Sequence, residues 1–191
     1  MSEGVKIGLS NLHYSIITFD TQTKKETYGT PVAVPGVTEA KLNPNASSDT
    51  LFADDGPAEV AATVGKISLE LSCAYLTHTI QAALLGHTFT NGILTRKATD
   101  TPPWVAVGFK SLKSNGEYQY VWLTKGKFQL PEQTFMTKKE SVNFQVPSIT
   151  GNFVARELDG AWILEAHSDA TGLETNTIAD WFKATTLTPA A

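Results

Sequence analysis

From Lys66 to Cys73 the sequence alternates without a break. Ile67, Leu69, Leu71 and Cys73 share one phase, and Ser68, Glu70 and Ser72 share the other. A period of two places successive side chains on opposite faces of a strand, and one apolar face with one polar face belongs to an antiparallel sheet. Most of the chain repeats this signal. Trp104 to Phe109 follows it less strictly, and Glu117 to Leu130 carries Tyr118, Tyr120, Trp122 and Phe128, types that suit a pleated, half-buried surface. Ser114-Asn115-Gly116 supplies a hairpin turn between those two, since Asn-Gly readily takes positive φ. Tyr14 to Phe19 and Pro31 to Leu42 read as strands near the start. Ser141 to Glu157 alternates through Val142, Phe144, Val146, Ile149, Phe153 and Val154, interrupted by Pro147 and Gly151. Trp162 to Ala166 closes the series after an Asp159-Gly160 turn.

Helical signals are few. Leu76, Ile80, Ala83 and Leu84 make one apolar stripe, with Thr77 or Thr79 to cap its start and Gly86 where a left-handed residue ends a helix. Thr175 to Ala184 is expected to form a second short helix with Ile178, Trp181 and Phe182 on one side. No period of 20–50 residues recurs, which excludes solenoids and propellers. The expected fold is mainly β: two packed antiparallel sheets, a β-sandwich or partly closed barrel, with one flanking short helix. Residues 1–10 read as a flexible N-terminal arm, 11–184 as a single β domain, and 185–191 as a flexible tail. Within the domain, 42–61 reads as a long, turn-rich polar loop that nevertheless carries Leu51 and Phe52. Loops of that length are uncommon in compact domains unless they have a function, and apolar residues in one either fold back or meet a partner.

Composition narrows the function classes. A chain of 191 residues is expected to fold with about 8,900 Å² of surface, burying about 70% of what it exposes unfolded. With 15 Lys+Arg against 19 Asp+Glu it lacks the basic excess that phosphate binding requires. The single cysteine forms no internal disulfide, and no apolar run is long enough to cross a bilayer. A soluble globular protein made in the cytosol is the expectation.

Catalytic and metal-binding patterns were weighed against simpler roles. Cys73, His78 and His87 match no zinc spacing; Cys73 falls on the apolar phase of its strand and reads as a core thiol, the histidines as surface or capping groups. Asp54-Asp55-Gly56, with Asp49 and Glu59, lacks the register of a calcium loop and reads as turn and surface charge. There is no phosphate-cradling glycine loop and no nucleophile elbow. Tyr118, Tyr120, Trp122, Trp104 and Trp162 could line a sugar platform, although aromatics on strands more often pack across the sheet. The expectation is therefore no enzyme, no cofactor and no metal.

Several segments in order carry a resemblance. They are Gly8-Leu9-Ser10-Asn11-Leu12-His13-Tyr14, Leu51-Phe52-Ala53-Asp54-Asp55-Gly56, Gln81-Ala82-Ala83-Leu84-Leu85-Gly86-His87, Pro103-Trp104-Val105-Ala106-Val107-Gly108-Phe109, Tyr120-Val121-Trp122-Leu123-Thr124-Lys125-Gly126-Lys127-Phe128 and Pro147-Ser148-Ile149-Thr150-Gly151-Asn152-Phe153. Together the chain resembles the major tail (tail tube) protein family of long-tailed, non-contractile bacteriophages, the siphoviruses, and most closely its phi13-type branch. The resemblance implies a β-sandwich similar to other phage tube proteins and to the type VI secretion tube protein. It implies homo-hexameric rings stacked into a hollow tube around a tape-measure protein, bounded by tail-tip and terminator proteins. DNA would be a transient, non-specific cargo, membrane insertion would play no part, and the place would be the virion after assembly in the host cytoplasm. Leu51, Phe52, Asp54, Asp55 and Gly56 are the expected contacts between rings or subunits. A net charge of −4 per chain would make such a conduit repel phosphate rather than hold it. The alternative expectation is a monomeric β-sandwich carbohydrate-binding module using surface aromatics, Trp122 first among them.

Overall fold

The computed structural model describes residues 4–19, 25–53, 56–63, 65–133, 136–137, 146–173 and 176–188. Among the described residues it is mainly β and antiparallel, with 51% strand and 8% helix, and no barrel closes. The strands are β1 (Lys6–Phe19), β2 (Glu26–Tyr28), β3 (Val32–Val34), β4 (Val37–Asn43), β5 (Ser47–Ala53), β6 (Gly56–Thr63), β7 (Ile67–Cys73), β8 (Thr88–Thr90), β9 (Ile93–Thr95), β10 (Trp104–Lys113), β11 (Tyr118–Phe128), β12 (Ser148–Phe153) and β13 (Ile163–His167). The helices are α1 (His78–Leu85) and α2 (Ala184–Leu187).

Nine strands form one sheet in the order β2-β1-β10-β11-β12-β7-β4, with β3 also on β1 and β13 also on β11. The sheet forks at β11: its first half pairs with β13 through Gln119 to Leu123, and its last residues, Gly126 to Phe128, pair with β12. The two expected layers are thus limbs of one continuous sheet. β7 lies near one end of the pairing path and β1 near the other, yet Leu69, Leu71 and Cys73 share a core with Leu12, Tyr14, Val107 and Leu123.

The alternation read at Lys66 to Cys73 is the buried pattern of β7, whose four apolar side chains are at most 3% exposed. Helix α1 begins at Thr77, whose hydroxyl accepts the Ile80 N–H, and ends at Gly86 with φ 74°. Ile80, Leu84 and Leu85 close the core from that side.

A bulge in β11 explains why one strand serves two cores. Val107 pairs with Leu123 but Val105 pairs with Gly126, so β11 carries one extra residue between them. Val121, Leu123 and then Phe128 face the main core, whereas Tyr120 and Trp122 face outward. That outer face is covered by the C-terminal segment, with Trp181 4% and Leu187 0% exposed against Ile17, Tyr28, Ala106 and Ala166.

Four expectations are corrected here. Residues 6–10 are not a flexible arm, because Lys6 to Ser10 pair with Lys113 to Lys110 of β10. Residues 185–188 are not a free tail: burial of Leu187 fixes them. The second helix is α2 rather than Thr175 to Ala184; residues 176–182 run as turns that insert Trp181 inward. The segment 42–61 is not a loop but the end of β4 followed by a β-hairpin, β5 with β6, since Ser47 to Thr50 pair regularly with Thr63 to Val60. The alternation at 141–145 lies outside the described residues.

Candidate functional site

The β5–β6 hairpin is a sheet of its own, unpaired with the nine-stranded sheet. It continues the β4–β7 hairpin beyond a break at residues 44–46 and 65–66. Asn45, at φ 43°, braces that break: its side-chain amide donates to the Lys66 carbonyl at 2.5 Å, and its N–H donates to Asn43 Oδ1 at 3.0 Å. Beyond the brace Ser47 and Thr63 hydroxyls meet at 3.2 Å. A second irregularity falls where Leu51 pairs with Glu59 and Phe52 with Pro57, a position suited to proline, which cannot donate to the ladder.

Of the five expected contact residues, the structure places the backbones of Leu51 and Phe52 near the end of β5 and Gly56 at the start of β6. It brings these three to one end of the arm. Asp54 and Asp55 lie outside the described residues. Ser47, Ser48, Asp49, Thr50, Glu59, Val60 and Thr63 are all exposed, Val60 at 64%. Residues 44–65 hold four acids, Asp49, Asp54, Asp55 and Glu59, and no lysine or arginine. The other 15 acidic residues equal the 15 lysines and arginines, so the whole net charge of −4 resides on this arm.

Among the described residues β4 pairs only with β7, and β13 only with β11, so each leaves one edge without a described partner. Between the free edge of β4 and the first half of β1 runs a groove of about 490 Å³ with Leu9, Leu42, Phe109 and Val121 in its walls and Lys6, Glu39 and Glu165 around it. An exposed edge is a template for another strand unless something covers it.

Titratable groups in the interior serve structure. Arg156, 3% exposed, grips Asp159 through Nε and Nη2 at 2.6 and 2.5 Å and donates Nη1–H to the Leu187 carbonyl at 2.6 Å. The Arg156 hydrogen bond holds the Asp159 carboxyl below the usual carboxylate range. Lys125 Nζ lies 2.7 Å from Glu26, both nearly buried. His87 is buried rather than at the surface, its Nδ1 2.7 Å from Asp100 Oδ2, which also takes the Lys97 N–H. That hydrogen bond from Lys97, with the one from His87, holds Asp100 low. Sequence reading missed all three pairs. Arg156-x-x-Asp159 ahead of a glycine was a local turn signal; Glu26 with Lys125 and His87 with Asp100 are joined only by the fold.

Cys73 sits in the core as expected, and burial pushes its thiol up. Among the described residues no three His, Cys, Asp or Glu side chains converge as a metal site, and no helix is long and apolar enough to cross a membrane. Trp122 is fully buried, with its indole N–H donated to the Trp181 carbonyl at 2.8 Å. Of the aromatics named for a sugar platform, Tyr120 is buried as well, whereas Tyr118, Trp104 and Trp162 are half-buried. No protein-family model matches this chain, and comparison with curated proteins finds no match.

Proposed function

We propose that this protein is a structural, non-catalytic subunit of the tail tube of a long-tailed, non-contractile phage, forming hexameric rings that stack into a hollow conduit. The observation that carries this reading is the β5–β6 arm, a hairpin that among the described residues pairs with no strand of the body, on a sheet whose β4 and β13 edges no described strand covers. A repeating assembly supplies a surface for such an arm and a strand for each edge.

In this reading Leu51, Phe52, Asp54, Asp55 and Gly56 make the contact between rings or subunits, the tape-measure protein sets tube length, and tail-tip and terminator proteins bound it. No cofactor takes part. DNA slides through as cargo, and the protein acts in the virion after assembly in the host cytoplasm. Negative-stain electron microscopy of the purified chain across concentration and salt tests the proposal. Hollow rings or tubes with six-fold averages are expected; uniform monomers under every condition would overturn it.

A further inference from the structure

The arm's charge bears on what it meets. All of the net charge lies between residues 44 and 65, so a second copy receives it best on a surface that offers a cation not already held by a carboxylate. One end of the outer sheet face offers one. The bulge in β11 turns Lys125 and Lys127 to the same side as Trp104 of β10 and Phe19 of β1. Lys127 Nζ stands 4.7 Å from the Trp104 ring centroid, and Lys125 Nζ lies 5.3 Å from that ring and 5.1 Å from Phe19. Phe19 and Trp104 meet edge to face at 6.4 Å.

The two lysines differ in what they have left to give. Lys125 is taken up by Glu26 at 2.7 Å, with Glu157 a further 3.9 Å away. Lys127 has no ion pair among the described residues. Apolar surface surrounds it: Phe19 is 38% exposed and Val154, whose N–H donates to the Lys125 carbonyl, 45%. At the opposite end of the same face Lys110 also stands over an aromatic ring, Tyr118, but Glu117 adjoins that tyrosine in the chain and its charge reaches Tyr120. The exposed Phe19 and Val154, which an arm bearing the exposed Val60 can meet, favour the Lys127 end.

We infer that the Lys127–Trp104–Phe19 patch is the docking surface for the acidic β5–β6 arm of a second copy, Lys127 pairing with an arm carboxylate and Phe19 and Trp104 meeting the arm's apolar residues. The inference rests on the self-assembly reading above and names the surface that completes it. An ammonium lying on an aromatic ring stays available to a carboxylate from the open side, so docking requires no internal ion pair to break.

A charge-inversion set on the full-length protein tests it: wild type, Lys127→Glu, the arm variant Asp49→Lys with Glu59→Lys, and the combination of all three. Circular dichroism and a thermal melt establish that each is folded, and light scattering with electron microscopy reads the concentration at which assembly begins. The single-sided variants are expected to raise that concentration about tenfold or more, and the combined variant to return most of it. Lys127→Glu assembling like wild type, or a combined variant no better than either parent, overturns the docking surface and leaves the assembly reading standing. A wild-type chain that never assembles overturns both.

Discussion

The indole N–H of Trp122 donates to the carbonyl of Trp181 across 2.8 Å, and this one bond joins the middle of the sheet to the last segment of the chain. Trp122 has no exposed surface, and its ring lies directly over Gly108, its partner across the β10–β11 ladder. The position of the indole is therefore fixed from both sides, by a backbone with no side chain below and by a hydrogen-bond acceptor above.

Gly108→Ala disturbs that arrangement with a single methyl group. A Cβ built there falls 2.5 Å from indole carbon Cδ2, inside any real contact distance. Either the ring shifts and strains its bond to Trp181, or β10 separates from β11. The expected loss is roughly 1–3 kcal/mol, the usual cost of overpacking a core. A guanidinium melt would register it as a lower midpoint at constant slope; an unchanged midpoint would mean that the outer core is loose enough to absorb the methyl.

How far the sequence spoke follows from the range of each interaction. β7 was legible because one buried and one wetter face write a period of two directly into Ile67 to Cys73. α1 was legible because its cap, stripe and closing glycine lie within ten residues. Both features are local. The arm was misread because turn-forming residues, Asn43-Pro44-Asn45 and Asp54-Asp55-Gly56, sit at either end of β5 and mask the pairing of Ser47 to Thr50 with Val60 to Thr63. The C-terminal segment was misread because its anchor, Arg156, lies 31 residues away from Leu187. Trp122 looked like a surface candidate because its strand alternates polar and aromatic residues; the face it occupies is dry only because Trp181 returns to cover it.

Arg156→Ala should release that cover. It removes the donor to the Leu187 carbonyl and strands Asp159, which is held through two of the three guanidinium nitrogens. Leaving a buried acceptor unmet costs about 1–3 kcal/mol. Beyond lower stability, the expected signature is local: faster proteolysis within residues 176–188 and a change in tryptophan emission as Trp181 and Trp122 become wetter. Global destabilisation without either local change would contradict the anchoring role.

The same pair sets an acid limit. Arg156 lowers the folded pKa of Asp159 below its unfolded value, so the unfolded chain binds its proton first as pH falls. The stabilisation is fully present above the unfolded carboxylate pKa of about 3.9 and disappears as pH drops through the folded value. Asp100, held low by the Lys97 N–H and by His87, loses its share in the same direction. Thermal midpoints measured between pH 7 and pH 3 should therefore stay level through the upper part of the range and fall below about pH 4. In Asp159→Asn the acid decline should be shallower, and a decline as steep as in the wild type would assign it to other carboxylates.

Phe52→Asp separates folding from assembly. Among the described residues the arm pairs only with itself, and distant, independent sites add their effects separately, so the body's melting temperature should be unchanged within error. An aromatic anchor at the centre of an interface is commonly worth 2 kcal/mol or more, and replacing it with a carboxylate adds a fifth acid to a segment with no base. That loss recurs at every subunit added, so growth should stop even where a single contact would be only weakened. The expected result is a folded monomer by circular dichroism and sedimentation that forms no tubes at concentrations where the wild type does. A variant that is equally well folded and polymerises normally would remove Phe52 from the contact.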